Sequence, residues 1–298
     1  HIAQGQHTQA FTLLQSALDV WRTLANISAQ ATALNNLGVL FHLQGHYEQA
    51  LTFLEESHRC AERSGYIRFV GFSLTSLGDL LIDLEMWSAA QALYRQALVV
   101  GQKINEQFML LYLKLALARI ASATSNLEQA FEHLDAVSKM MLNRKSGYEW
   151  GLYQLAMGRY YLAQDKPRAA IEPLLNAQKS FGESGQTVEE ASTHFLLAAA
   201  CQTANRPEQM QTHLTLGLNL AFKIENRHPL IVTLRPLKNF LRLAQTEAFN
   251  AERIKQIGHE IENFEQTLVP ISRQLRQAFS PTLLALLADV PPKLTIRA

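Results

Sequence analysis

Apolar residues recur at spacings of three and four through nearly the whole chain, as in Leu34, Leu37 and Phe41, then Leu51 and Leu54. That is the period of one helix face. Alternation of the strand type occurs only in the last six residues. The helical runs themselves repeat. Ala10, Ala50, Ala90, Ala130 and Ala170 stand forty residues apart, and Met210 continues the series. Twelve residues upstream of each member from Ala50 onward lies a small residue: Gly38, Gly78, Ala118, Gly158 and Ala198. Each of these follows a large apolar one: Leu37, Leu77, Leu117, Met157 and Leu197. Four after the alanine series come Leu14, Leu54, Tyr94, Leu134, Leu174 and Leu214. Seven after it the residues are mostly small, with Ala17, Ser57, Ala97, Val137, Ala177 and Gly217. Parallel registers held without insertion identify an internal repeat.

Each period predicts two helices of about 17 residues, roughly 26 Å long. The breaks between first and second helices are Gln44-Gly45-His46, Leu84-Glu85-Met86, Ser125-Asn126, Asp165-Lys166-Pro167 and Asn205-Arg206-Pro207. Pro167 and Pro207 suit a first helical turn, where the missing N–H costs nothing. Softer breaks follow at Ser64-Gly65, Asn105, Ser146-Gly147, Ser184-Gly185 and Asn226, where Gly or Asn closes a helix in the left-handed conformation. Small residues on both helices of a pair let the backbones approach. A bulky residue at Gly38 or Ala50 would overpack the seam at a cost of roughly 1–3 kcal/mol. One pair cannot bury its apolar face alone, whereas a stack can. The fold class expected is all-α, a solenoid of antiparallel helix pairs.

The pattern Leu37-Gly38, Phe41, Gly45, Tyr47, Ala50, Leu54 resembles the tetratricopeptide repeat. Leu77-Gly78, Leu81, Trp87, Ala90, Tyr94, Ala97 and Met157-Gly158, Tyr161, Pro167, Ala170, Leu174, Ala177 resemble it too. The resemblance runs over residues 8–225 and implies a right-handed superhelix whose concave groove, lined by first helices, binds a protein, a peptide or a small effector. Two features depart from it. The period is forty rather than the usual roughly 34. The proline that normally ends the second helix is replaced by Arg22, Glu62, Gln102, Leu142, Gly182 and Phe222. A period near forty overlaps HEAT and armadillo units, but the spacing of small residues by twelve and then seven matches the tetratricopeptide repeat. Long repeats of this kind are similar to those of bacterial signal-transduction ATPases and maltose-activator-type transcriptional regulators, which implies a sensor segment.

The expected organisation is a second helix of a truncated first repeat over 1–25 and five repeats over 26–225. A degenerate repeat and helical cap follow over 226–290, then a linker and the start of a further domain over 291–298. The opening helix has no upstream partner, so its face of Phe11, Leu14 and Leu18 is expected to be exposed, either for self-association or as a cap. Pro270 is expected to break the helix of residues 251–268. Pro291-Pro292 precedes the alternating Lys293 to Ala298, which resembles the first strand of a winged-helix domain; a frayed tail is the plain alternative.

Composition narrows the function. The chain has 298 residues, 48% hydrophobic and 18% charged, with net charge +1. An apolar-rich, charge-poor chain does not stay disordered, and balanced charge gives no general attraction to nucleic acid. No apolar stretch approaches the roughly 18 residues of a membrane helix, and no leader pattern opens the chain. Cys60 and Cys201 lie far apart, without disulfide or metal spacing, and fit buried thiols in a reducing cytoplasm. No phosphate-binding glycine loop, zinc motif or nucleophile triad occurs. His259-Glu260-Ile261-Glu262, Glu55-Glu56 and Glu189-Glu190 read as surface helix charges. No enzyme and no cofactor are therefore expected.

Binding residues are sought instead on the first helices. The residue after each small one is Val39, Asp79, Arg119, Arg159, Ala199 and Asn239. Three before it come Asn35, Thr75, Leu115, Leu155, Phe195 and Arg235, and four after it His42, Ile82, Ser122, Leu162, Gln202 and Arg242. Arg119 and Arg159 occupy one position in successive repeats, with Tyr112 and Tyr160 on the same helices. Such a pair suits a carboxylate or phosphate; pairing with acidic neighbours is the plain alternative. Arg235, Lys238 and Arg242 form a stripe at helical spacing, suited to an acidic partner, a neighbouring domain or simple solubility. Asn35, His42, Asp79, Tyr112, Arg119, Arg159, Arg235, Asn239 and Arg242 are the candidate groove residues.

Overall fold

The computed structural model describes residues 7–142, 147–245 and 250–288. Among them the secondary structure is helical, without strands. The helices are α1 (His7–Thr23), α2 (Ile27–Leu43), α3 (Tyr47–Ser64), α4 (Ile67–Asp83), α5 (Trp87–Lys103), α6 (Gln107–Ala123), α7 (Leu127–Met141), α8 (Gly147–Ala163), α9 (Pro167–Glu183), α10 (Thr187–Thr203), α11 (Pro207–Ala221), α12 (His228–Leu234), α13 (Lys238–Ala244), α14 (Ala251–Ala278) and α15 (Pro281–Ala288). Most of the first eleven are 17 residues long, as the repeat length requires.

The forty-residue period proves to be twice a twenty-residue one. A positive φ recurs at Ala25, Gly45, Gly65, Glu85, Asn105, Ser125, Asp165, Gly185 and Asn205. The same turn is built each time. Gly45 N–H donates to His42 O (2.9 Å) and His46 N–H to Phe41 O (2.9 Å); Glu85 and Met86 do likewise to Ile82 and Leu81 (3.0 and 2.9 Å). This double bond satisfies the last carbonyls of a helix and needs one left-handed residue. Ala25, Glu85, Ser125 and Asp165 accept that conformation although it costs a side-chain-bearing residue about 1 kcal/mol or more.

Two compact units divide the chain. Unit 1 is His1–Leu113 with Leu268–Ala298, and unit 2 is Lys114–Thr267. Within unit 1, α2 pairs with α3 and α4 with α5; within unit 2, α8 pairs with α9 and α10 with α11. Three of these pairs close over a first-helix glycine, and in α10–α11 Ala198 holds that place. A Cβ on Gly38 would lie 2.6 Å from Leu54 Cδ2 and 3.2 Å from its backbone nitrogen; one on Gly158 would lie 2.5 Å from Leu174 Cδ2. At Gly78 the obstacle is the ring of Tyr94. The space above the first-helix glycine is thus filled by the residue four after the alanine, while Ala50, Ala90, Ala130 and Ala170 are fully buried.

Three expectations change. Leu18 is fully buried, packing with Ala31, Leu34 and Leu37, and Leu14 lies against the same cluster. The exposed apolar residues of α1 are Leu13, Val20 and, less so, Phe11, because α1 turns its Leu18 side toward α2. Pro270 does not end its helix: α14 runs on to Ala278. Conversely, the first helix of the degenerate repeat is split at Pro236 by a 3-10 turn, Arg235–Leu237, since proline cannot donate to the preceding turn. The strand expected over 293–298 lies outside the described residues.

Candidate functional site

In unit 1, Gly78 decides the local chemistry. With no side chain there, the buried ring of Tyr94 on α5 lies against α4. Its hydroxyl then donates to Asp79 Oδ1 at 2.5 Å. Tyr112 on α6 also hydrogen-bonds to Asp79. Beside it, His42 Nε2 on α2 lies 2.7 Å from Asp83 Oδ2 on α4. Burial raises the Asp79 carboxyl from 3.8 to about 6, outweighing the stabilising Tyr94 bond and the nearby His42. The structure therefore brings three sequence-derived candidates together: His42, Asp79 and Tyr112. Asn35, on the same helix as His42, is shut away instead, and its Oδ1 is buried without a hydrogen-bond partner.

Unit 2 presents the opposite case. Arg119 on α6 and Arg159 on α8 are partly buried, and neither forms a hydrogen bond or ion pair among the described residues. Burial and the like charge of Arg119 lower the Arg159 guanidinium to about 9, with Glu189 on α10 opposing the shift. Burial also raises Glu189, against its own backbone hydrogen bond and the pull of Arg159. Two arginines and one glutamate leave a net positive, partly desolvated spot. A buried cation without a bonded partner is costly, so an arriving anion would be favoured there.

The C-terminal stripe already has acidic company in the same unit. Lys238 pairs with Glu265, and Arg242 lies 3.6 Å from Glu262. Arg227 forms a two-pronged bond to Glu260, with Nε at 3.1 Å and Nη2 at 2.5 Å. Arg235 stacks over Phe264 at 5.6 Å, and Asn239 is exposed.

Sequence reading missed several partners. Tyr94 stands out as the one aromatic in a leucine register opposite Gly78, which was the available signal. Glu189 gave none. Nor did the contact of His194 Nδ1 on α10 with His213 Nδ1 on α11, at 3.0 Å. His194 is buried, and desolvation first, then His213, lowers it to about 4. Cys60 and Cys201 are buried free thiols, raised chiefly by desolvation. Among the described residues no group of three His, Cys, Asp or Glu could hold a metal ion, and no helix is long and apolar enough to cross a membrane.

Residues 1–63 match the family model described as tetratricopeptide repeat. That match covers 63 of the 298 residues. The helix pairs of the chain are also similar to the crystal structure of BtubC (BKLC) from P. vanneervenii, with a TM-score of 0.57. That similarity covers 74% of this chain and 92% of that one at 14% identity, and so concerns the fold. No curated protein matches the chain.

Proposed function

We propose that this tetratricopeptide-repeat protein recognises an anionic group of a protein, peptide or small effector through Arg119 and Arg159, without catalysing a reaction. The observation that carries the reading is the pair of unpartnered, partly buried guanidiniums on successive first helices. A planar fork of donors suits carboxylate and phosphate alike. Asp79 is less suited to the role, since its carboxyl is occupied by two tyrosine hydroxyls. Binding would act by linkage: a ligand shifts the array only as far as it prefers one of its conformations.

The finer reading is the sensory segment of a cytoplasmic bacterial transcriptional regulator, supported by the forty-residue period. Direct binding to DNA by this segment is not part of it, given the net charge of +1. An assembly scaffold unconnected to transcription is the competing reading. Reading the gene on both sides of the segment separates them, because a sensor needs an output domain. The site itself is tested by calorimetric titration with inorganic phosphate and with an acidic peptide. Arg119→Ala with Arg159→Ala should weaken binding of one of them by tenfold or more, about 1.4 kcal/mol. Affinity unchanged in the double variant removes these residues from the site.

A further inference from the structure

The end of the described chain lies on the second-helix side of unit 1 and is read there at both ends. α15 has eight residues, fewer than a helix needs to be stable alone in water, so its form depends on what it touches. At its start, Ser280 N–H donates to Glu55 Oε1 of α3 at 3.1 Å, while Ser280 Oγ accepts from Leu283 N–H at 3.2 Å. Near its end, Gln96 Nε2 of α5 donates to the Leu286 carbonyl at 2.6 Å. That carbonyl is one of the four a helix leaves unsatisfied at its C-terminus, and a carboxylate at the N-terminus meets the positive end of the dipole. Between these ends one side chain is anchored: Leu283 is 1% exposed, whereas Leu284 is 52% exposed. Ser272 Oγ of α14, donating to the Leu84 carbonyl at 3.3 Å, holds the approach.

The groups that Glu55 and Gln96 recognise are backbone groups; Ser280 caps the helix, Leu283 is its one fully buried side chain, and Leu286 and Leu287 are half-buried. We propose that this face of α3 and α5 is a docking site for a short apolar helix with serine at its N-cap and leucine three residues on, and that α15 is such a ligand carried by the chain itself. The face is independent of the arginine pair, so either assignment can fail alone.

The test uses the full chain and a fluorescent peptide of residues 279–288, followed by polarisation. In a chain bearing Leu283→Asp, the resident helix no longer fills the apolar seat. The peptide should bind that chain at least tenfold more tightly than the unaltered one. Adding Glu55→Ala and Gln96→Ala should reverse the gain, and a peptide carrying the aspartate should not bind. Absence of peptide binding to the Leu283→Asp chain, or binding indifferent to Glu55 and Gln96, overturns the proposal. Self-association of the unaltered chain that the peptide reverses would support it, with a second copy's α15 as the occupant. As a measurement that does not depend on the aspartate variant folding, Gln96→Ala alone should speed amide exchange in α15 by tenfold or more; unchanged protection overturns the proposal.

Discussion

One register position carries opposite charges in the two units, and the charges meet different ends. Asp79 follows Gly78 in unit 1, and Arg159 follows Gly158 in unit 2. Both glycines seat a side chain from the paired helix, Tyr94 in one case and Leu174 in the other. The hydroxyl of Tyr94 reaches the neighbouring carboxylate, whereas Leu174 has nothing to offer a guanidinium. The difference teaches that the repeat fixes where a charge points but not whether it is satisfied. Asp79 is satisfied within the seam, whereas Arg159 is left open, and in the reading proposed above that is where an anion binds.

The largest test of this contrast is steric. Gly78→Ala and Gly158→Ala should each destabilise the chain by about 1–3 kcal/mol, read from urea midpoints, because a Cβ has no room at either place. Gly78→Ala should in addition change the titration of Asp79, while Gly158→Ala should leave it alone; equal effects on Asp79 would break the comparison.

The pH responses should run in opposite directions. Asp79 holds its proton more tightly folded than unfolded, with a value of about 6 against 3.8. Its contribution is therefore complete below 3.8 and is lost as pH rises through about 6. Asp79→Asn should recover on the order of 1–2 kcal/mol at pH 8 and little at pH 4, given about 1.4 kcal/mol per unit and partial exposure. His194 is lowered from 6.5 to about 4, so the folded state binds its proton less readily than the unfolded chain. That contribution is complete above 6.5 and is lost as pH falls toward 4. His194→Gln should flatten the acid limb of a stability profile by on the order of 1 kcal/mol, consistent with a partly relieved desolvation penalty. An unchanged acid limb would show that the histidine pair is not what acid attacks.

The smallest effect concerns what the units share. Glu85→Gly and Asp165→Gly relieve a left-handed backbone at the same turn in unit 1 and unit 2. Each should stabilise by about 0.5–1 kcal/mol, net of the freedom glycine adds to the unfolded chain. Similar gains in both units would confirm that the turns are equivalent; a gain in one alone would sharpen the distinction between them.

Much of the fold was legible because helix pairing is governed by periodic volume. Gly38, Gly78 and Gly158 can be read off the chain as places where a neighbour must enter, and Leu54 and Leu174 enter there. The turns were legible at Gly45 and Gly65, where glycine advertises a positive φ, but not at Ala25, where the helices on both sides impose it. Of the site, the positions of Asp79, Arg119 and Arg159 were readable from register, while Asn35, at an equally regular position, proved buried.

By itself, the sequence determined the repeat, the helix lengths and which residues share a helical face, since these follow from spacing along one chain. Only the tertiary structure decided that Leu18 packs inward, that α14 passes Pro270 unbroken and that Glu55 and Gln96 grip α15. It alone showed that Asp79 is answered by tyrosines while Arg159 is not. Those outcomes depend on which side chains from distant segments come within hydrogen-bond reach and exclude water, and no local period encodes that.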